Sequence, residues 1–298
     1  MKEEKLQLAN GISLNVAYRL SEKPVILFLH FSGGTWQAWH GILPHFSAEY
    51  SVIAPDIRGH GKSEKPENGY HIDEMAEDII LLLNEWGIDC CHIIGSSMGA
   101  EVGLSIAASH PEMVQSLVCE GGLYDRWGEY SLLEGTKEEA DIERTELLAS
   151  ILNEEERVYS SAEEYLTSME KEFKEAEIWS RHAEAFIRST MEQKVNGHFA
   201  NRFKKNVLAG FISSCWDIRL EDYYSKISCP VLLLPSQEES ENRLAEKSIQ
   251  HFSSLIQEHY MTYIPNSLHA YVWLQFPCQA ADAVKTFYKS KKSGRLSV

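Results

Sequence analysis

Residues 95–99, with the sequence Gly-Ser-Ser-Met-Gly, carry the clearest chemistry in the chain. An apolar run, residues 91–94, precedes them, and a helix-forming stretch, residues 100–108, follows them. A serine between two glycines in this context of strand, turn and helix is typical of a nucleophile held on a sharp turn. The N–H groups at the start of the following helix favour the negative charge that develops during acyl transfer. The pattern therefore predicts that Ser97 is a nucleophile.

A serine hydroxyl is a weak nucleophile at neutral pH, so Ser97 needs a base, and the base needs a group to orient it. In this type of arrangement a carboxylate and then a histidine follow later in the chain, each after a strand. His269 comes directly after the last predicted strand, residues 259–264, and is the predicted base. The sequence contains no His-Glu-x-x-His motif and no Cys/His cluster, so we expect no metal site.

The composition narrows the classes of partner. The 298 residues carry a formal net charge of −16, which argues against nucleic acid and anionic membranes, because both bind basic surfaces. There is no apolar run of about 18 residues, and residues 1–5 lack the apolar segment of a secretory signal. The six cysteines have no Cys-x-x-Cys spacing, which favours free thiols. We expect a cytoplasmic protein.

The first 122 residues alternate between strand-like and helix-like segments. Asn10-Gly11 predicts a hairpin between the first two strands. Residues 72–86 have the periodicity of an amphipathic helix. The further predicted strands are residues 25–30, 51–54, 91–96 and 114–120. These are short apolar runs of the kind that is buried on both faces of a parallel sheet. The alternation therefore predicts an α/β fold with a mostly parallel, doubly wound sheet.

The alternation stops after residue 122, and the next buried-strand pattern begins at residue 231. The chain between them has helical periodicity and almost no strand signal. We therefore predict a helical cap, residues 123–227, inserted into a core domain of residues 1–122 and 228–298.

The predicted cap includes the most acidic part of the chain. Residues 121–180 hold 17 Asp and Glu against 6 Lys and Arg. Most of these carboxylates are expected on solvated helix faces. The apolar faces of the same helices must pack on another surface, and the nearest is the sheet edge that carries Ser97. We expect the cap to cover the site and, through its summed charge, to favour neutral, largely apolar acyl substrates.

Several motifs in the same order make the chain similar to the α/β-hydrolase superfamily. Residues 27–34 resemble its His-Gly-x-x-Gly segment, and residues 56–63 match its Asp-x-Arg-Gly-x-Gly-x-Ser loop at every fixed position. The serine motif at residues 95–99 and the segments 109–112 and 230–234 follow in the order of the family. The resemblance covers nearly all of the chain outside the cap. It implies an α/β-hydrolase fold of the capped, serine-nucleophile branch.

The resemblance also implies where an oxyanion would bind. By position, the backbone N–H groups of Ser32 and Met98 would hold it. The family usually has glycine directly after the histidine of the first segment, and this chain has Phe31 there. Because Phe31 has a side chain, the backbone there is expected to be less able to follow the tight path that a glycine allows.

The acid of the site is implied by the same comparison. After the strand at residue 231 the family commonly has Gly-x-x-Asp, and the same count in this chain reaches Glu239. The neighbouring Glu238 and, at the end of an earlier strand, Glu120 are the alternatives. Two other charged residues, Asp56 and Arg58, are interpreted as structural groups that hold their loop through charge-assisted hydrogen bonds.

These residues predict a serine hydrolase that cleaves a carboxylic ester, thioester or lactone in a small-molecule acyl substrate. The triad would be Ser97, His269 and Glu239, and no cofactor is implied. A serine at this position argues against the dehalogenase and epoxide-hydrolase relatives of the family, whose nucleophile is aspartate. A C–C bond hydrolase or a lyase on the same scaffold is an alternative. A ligand-binding or signalling protein is another, because of Phe31 and the atypical acid loop.

Overall fold

The computed structural model describes residues 1–133 and 135–293, with side chains up to residue 290. The strands are β1 (Lys2–Gln7), β2 (Ser13–Arg19), β3 (Val25–Leu29), β4 (Ser51–Pro55), β5 (Cys91–Ser96), β6 (Val114–Glu120), β7 (Val158–Tyr159), β8 (Met191–Gln193), β9 (Phe199–Asn201), β10 (Val231–Leu233) and β11 (His259–Met261). The helices are α1 (Leu43–Phe46), α2 (Ile72–Glu85), α3 (Met98–Ser109), α4 (Lys137–Asn153), α5 (Ala162–Glu175), α6 (Arg181–Thr190), α7 (Lys205–Cys215), α8 (Glu221–Tyr224), α9 (Gln237–Glu241), α10 (Arg243–Ser254), α11 (Val272–Gln275) and α12 (Pro277–Ser293). None of the described helices is long and apolar enough to cross a bilayer.

Eight strands form the central sheet in the order β1-β2-β4-β3-β5-β6-β10-β11. β2 pairs antiparallel with β1 and β4, and the remaining neighbours are parallel. β3 lies between β4 and β5, so the chain winds toward one edge of the sheet and then returns toward the other. The predicted hairpin at Asn10-Gly11 joins β1 and β2. The predicted mostly parallel, doubly wound sheet is confirmed.

Helices cover both faces of this sheet. Because side chains alternate along a strand, successive residues of β3 enter different cores. Leu27 and Leu29 belong to the core that α2, α3 and α10 also line, whereas Ile26 and Phe28 belong to the core lined by α1, α11 and α12. All four side chains are fully buried. Burial on both faces explains why the strands are continuous apolar runs in the sequence.

An insertion, residues 121–230, separates β6 from β10. It contains α4 to α8 and also a three-stranded antiparallel sheet in the order β7-β9-β8. The helical cap predicted for residues 123–227, with almost no strand signal, is therefore wrong about the strands. A turn at Asn196-Gly197, with φ of +85° at the glycine, joins β8 to β9, which follow directly on α6. This is the same hairpin signal that joins the first two strands.

A third apolar cluster joins the insertion to the loops at the edge of the sheet. The ring of Phe31, which follows β3, lies 5.5 Å from that of Phe186 on α6 and 5.5 Å from that of Tyr271. Phe173 on α5 also contacts Tyr271, with ring centroids 5.9 Å apart. The insertion therefore covers the loops that follow β3 and β11.

One acidic helix of the insertion, α4, contributes little to this cover. Along α4 the buried residues are Ala140 and Ile151, and the helix packs against α7. Its remaining residues are exposed or partly exposed. The apolar contact with the sheet-edge loops that the sequence predicts for the whole acidic segment is made by α5 and α6.

A buried ion pair holds the loop after β4 against α2. The Arg58 guanidinium donates to both carboxylate oxygens of Asp78, at 2.5 Å each, and to the carbonyl of Gly69 at 2.9 Å. The Asn10 side chain donates to the same carboxylate at 2.7 Å. Asp56, two residues before Arg58, accepts hydrogen bonds from the Asn15 side chain on β2 and from the N–H groups of Trp36 and Lys62. The interpretation of these two residues as structural is confirmed.

Removal of one partner of this pair should destabilise the protein. Asp78→Ala leaves a buried guanidinium without its carboxylate, so we expect the free energy of unfolding to fall by about 3–5 kcal/mol. Glu77→Ala, the same loss of charge at the exposed neighbouring position of α2, should change it by less than about 0.5 kcal/mol. Urea unfolding of both variants measures the difference, and equal effects would contradict the role assigned to the pair.

Candidate active site

Ser97 lies on the sharp turn between β5 and α3. Its φ of +50° and ψ of −119° belong to a region that residues with a side chain seldom adopt, so the backbone there is strained. Glycines make the turn possible. A Cβ on Gly95 would lie 2.5 Å from Cα of Ala100, and one on Gly99 would collide with the carbonyl of Leu29. The turn therefore presents Ser97 at the carboxyl edge of the sheet.

His269 lies in the loop after β11 and reaches Ser97. Its Nε2 is 3.0 Å from the Ser97 Oγ, within the distance at which a base accepts a hydroxyl proton. Gly121 makes this approach possible, because a Cβ there would lie 2.5 Å from Cα of Ser97 and 3.1 Å from Cε1 of His269. Gly121 also has φ of +110°, a conformation that favours glycine.

Two carboxylates flank the other ring nitrogen of His269. Nδ1 is 3.2 Å from Oε1 of Glu120, at the end of β6, and 3.4 Å from Oε1 of Glu239, on α9. Both carboxylates are buried. Glu238 is exposed and lies outside ion-pair distance of His269 in the described chain. The structure thus brings Ser97 and His269 together with the predicted acid, Glu239, and with the alternative Glu120.

The local sequence positions Glu239. Ser236 and Glu239 form a capping box at the start of α9, in which the Glu239 carboxylate accepts from the Ser236 N–H at 2.9 Å. The Tyr124 hydroxyl donates to its other oxygen at 3.0 Å. Burial alone would raise the pKa of Glu239, but the interaction with His269 and these two donors outweigh burial and hold the pKa below its ordinary value.

Glu120 has a different environment. Its Oε2 is 2.5 Å from the Ser96 hydroxyl and 3.3 Å from the indole nitrogen of Trp273. Burial raises the pKa of Glu120 above its ordinary value, and the charge of Glu239 acts in the same direction. The interaction with His269 opposes burial but does not cancel it.

The two carboxylates dominate the titration of His269. Burial by itself lowers the pKa of an imidazole. Glu120 and Glu239, when both are ionised, outweigh burial and raise the pKa of His269 well above its ordinary value. An ionised carboxylate at Nδ1 therefore stabilises the imidazolium that forms when Nε2 takes a proton.

Two backbone donors lie beside the serine turn. Met98 is the first residue of α3, so its N–H has no partner within the helix. Ser32 follows β3, and the carbonyl of the last residue of β3 lies against Gly99. Within the described chain, neither the Ser32 N–H nor the Met98 N–H donates a hydrogen bond. Phe31 does not have a positive φ, and its ring enters the aromatic cluster under the insertion. A glycine is therefore not required there.

The site includes side chains that the sequence did not single out. Ser96, Tyr124 and Trp273 each contact one of the two carboxylates. Ser96 lies within the serine motif, whereas Tyr124 and Trp273 lie 115 and 153 residues along the chain from the carboxylates that they contact. Among residues 1–133 and 135–293, no group of three His, Cys, Asp or Glu residues could hold a metal ion.

Comparisons with known sequences agree with this architecture. A family model described as the alpha/beta hydrolase fold matches residues 24–210. Over 113 residues the chain is 38% identical to the AB hydrolase superfamily protein YfhM of Bacillus subtilis, a match that covers 37% of this chain and 40% of that protein. Over 98 residues it is 36% identical to epoxide hydrolase 4 of Mus musculus, covering 32% and 27%. The chain thus matches less than half the length of these relatives.

A solved structure extends the similarity to the whole fold. The crystal structure of E-2-(acetamidomethylene)succinate hydrolase superposes with a TM-score of 0.78 at 21% sequence identity. The superposition covers 97% of this chain and 99% of that one. The insertion and the sheet therefore share one architecture with a known hydrolase.

A side chain at Gly121 should disturb the serine turn. Gly121→Ala places a Cβ against Ser97 and His269, so we expect the rate of Ser97 labelling by a fluorophosphonate to fall by about 10²-fold or more, as for small misplacements of reacting groups. Gly128→Ala is the control, because Gly128 also has a positive φ, of +98°, but its Cβ would meet nothing closer than 4.0 Å. A wild-type labelling rate in the Gly121 variant would contradict the packing described.

Proposed function

The chain belongs to the alpha/beta hydrolase fold family, and we propose that it is a serine hydrolase that attacks a carbonyl carbon through Ser97. The observation that carries the proposal is the distance of 3.0 Å between the His269 Nε2 and the Ser97 Oγ at the strained turn. A hydroxyl, a base and a buried carboxylate in this order are the parts that nucleophilic acyl transfer needs.

In the proposed reaction, Nε2 of His269 accepts the hydroxyl proton while Oγ of Ser97 forms a bond to the carbonyl carbon. The carbonyl oxygen becomes an oxyanion, which accepts hydrogen bonds from the N–H groups of Ser32 and Met98. The charged Glu239 stabilises the imidazolium. The imidazolium then gives its proton to the departing alcohol or thiol, which leaves an acyl enzyme. Water, deprotonated by the same ring, releases the acid.

The identity of the nucleophile separates this reaction from that of the relatives named epoxide hydrolases. A carboxylate that opens an epoxide forms an ester, which water can cleave in a second step. A serine that opened an epoxide would form an ether, which the same machinery cannot hydrolyse. Ser97 at the turn therefore supports an acyl substrate, which is an ester, a thioester or a lactone.

A cavity in the insertion supports a neutral, largely apolar acyl group. Its volume of about 530 Å³ lies in the range of small-molecule sites. The apolar and aromatic residues of its wall are Ile151, Tyr159, Tyr165, Met169, Phe203 and Leu208. The Phe203 ring also lies near Gly33, the neighbour of Ser32, because it would be 3.5 Å from a Cβ placed on that glycine. One wall residue of the cavity thus lies near the loop of Ser32, while Ser97 and His269 do not line the cavity.

The charges around this cavity disfavour an anion. Its rim carries Glu154, Glu155, Glu156 and Glu172 against Arg157, Lys204 and Lys205. The basic side chains are held in contacts of their own, such as that of Arg157 with Glu172 at 2.6 Å. The exposed Glu154 and Glu155 leave an excess of negative charge at the mouth.

Loss of the hydroxyl should abolish the reaction. We expect a fluorophosphonate to label wild-type protein at Ser97, and we expect Ser97→Ala to lower hydrolysis of a short p-nitrophenyl ester by about 10⁶-fold, as for loss of a serine nucleophile in other hydrolases. Peptide mapping by mass spectrometry identifies the labelled residue. Labelling at another residue, or full activity in the variant, would exclude the mechanism, and an absence of both labelling and turnover would indicate a binding protein.

The charge of the insertion should appear as a salt effect. Salt screens exposed charges beyond about 8 Å at physiological ionic strength, so kcat/KM for an anionic ester should rise more with added salt than kcat/KM for an isosteric neutral ester. The double variant Glu154→Gln/Glu155→Gln should reduce the difference between the salt responses of the two esters. The control double variant Glu77→Gln/Glu85→Gln, which removes the same charge from α2, should leave that difference unchanged. Equal salt responses of the two esters would show that the insertion has no electrostatic role.

A further inference from the structure

Two buried carboxylates share one nitrogen in this site, although a proton relay from serine needs only one. Glu120 and Glu239 lie 3.2 and 3.4 Å from the same Nδ1 of His269, with side chains only 1% and 6% exposed. Nδ1 carries at most one proton. If both carboxylates were ionised beside a neutral ring, two negative charges would be buried together, which is costly in a medium of low dielectric constant.

The surroundings offer no fixed positive charge to offset a second anion. Among the described residues, the side chains that face the two carboxylates are His269, Tyr124, Ser96 and Trp273, and the backbone N–H of Ser236 also donates to Glu239. Two ionised carboxylates also raise the pKa of His269 and so favour its protonated form. A protonated ring cannot accept the proton of Ser97, so such a state would be inactive.

The hydrogen-bond partners indicate which carboxylate is charged. Glu239 receives two donors, the N–H of Ser236 and the hydroxyl of Tyr124, and a carboxylate that accepts such bonds is stabilised as an anion. The shift in the pKa of Glu239, which is downward, agrees with this assignment.

Apart from His269, Glu120 has one obligatory donor, the Trp273 indole at 3.3 Å from Oε2, and its other partner, the Ser96 hydroxyl, can accept as well as donate. Oε2 lies 2.5 Å from the Ser96 Oγ, which in turn lies 3.4 Å from the carbonyl of Ala270. A proton on Oε2 can be donated to Ser96, and the single hydroxyl proton of Ser96 then goes to Ala270. Every proton in this row of hydrogen bonds has an acceptor, and Oε1 of Glu120 remains free to accept from His269. Burial of Glu120, which raises its pKa, favours the same state.

We propose that Glu120 is a positioning residue that stays protonated on Oε2 and orients His269 through an uncharged oxygen, while Glu239 is the charged partner. This inference rests on the proposed function of Ser97 and His269. In the catalytic cycle the proton of Glu120 does not move. Only the proton exchanged between the Ser97 hydroxyl, Nε2 and the leaving group changes place, and the imidazolium is balanced by the single charge of Glu239.

Conservative variants distinguish an uncharged partner from a charged one. Glu120→Gln keeps an oxygen toward His269 and a donor toward Ser96, so its kcat/KM should stay within about threefold of the wild type. Glu239→Gln removes the charge and should lower kcat by about 10⁴-fold. Glu120→Leu removes both hydrogen bonds and should lower kcat by about 10²-fold through misplacement of the ring, a loss that Gln at the same position rescues.

The pH profile provides a second readout. His269 must be neutral to act as a base, so activity is lost as the pH falls through the pKa of the ring. Loss of the charge of Glu239 lowers that pKa, so the acidic limb of the Glu239→Gln profile should move to lower pH by about one unit or more. The acidic limb of Glu120→Gln should coincide with that of the wild type. If the acidic limb of Glu120→Gln moved as far as that of Glu239→Gln, and kcat fell by the same factor, Glu120 would be an anion and the proposal would be overturned.

Infrared spectroscopy tests the protonation state without any turnover. At pH 7 the difference spectrum between wild type and Glu120→Gln should contain the carbonyl band of a protonated carboxyl, and the spectrum of Glu239→Gln should retain that band. Absence of the band in the wild type would overturn the proposal even if Ser97 is labelled and active. Conversely, a failure of Ser97 labelling with the band present would reject the proposed function and leave the assignment of the proton on Glu120.

Discussion

The strained backbone of Ser97 is the constraint on which the rest of the structure depends. A residue with φ of +50° costs of the order of 1–3 kcal/mol and persists only when its surroundings hold it in place. Close approaches at Gly95, Gly99 and Gly121 provide that hold, because side chains at these positions would collide with α3, the end of β3 and Ser97 itself. Three elements of the sheet therefore meet at one turn, and the loops that follow them form the site.

The second constraint is electrostatic and follows from the first. The turn brings Ser97 against the end of β6, so the last residue of that strand, Glu120, is buried beside the ring of His269. Glu239, which is held by the capping box of α9, lies beside Nδ1 of the same ring. Burial raises the free-energy cost of each charge there and strengthens each hydrogen bond. The insertion covers part of this region by packing α5 and α6 on Phe31 and the loop after His269, while the His269 side chain stays 30% exposed.

The sequence was sufficient for the sheet, the serine turn and the contact of His269 with Ser97, because hydrophobic periodicity and the order of motifs along the chain determine them. The small sheet of the insertion was missed although Asn196-Gly197 signals its hairpin, since the strands beside it are only two or three residues long. The sequence offered Glu120 only as an alternative to Glu239, and the presence of both carboxylates beside His269 was beyond local patterns. It depends on the parallel register that sets Glu120 opposite Ser96, and register is a tertiary property.

Detection of the covalent intermediate tests the central claim most directly. Wild-type protein mixed with a p-nitrophenyl ester and quenched in acid within milliseconds should gain the mass of one acyl group, and fragmentation should locate that group on Ser97. The release of p-nitrophenol should show a burst of matching amplitude if release of the acid is slower than acylation. Steady turnover with an acyl group on another residue, or with no acyl group and no burst at any quench time, would contradict the account.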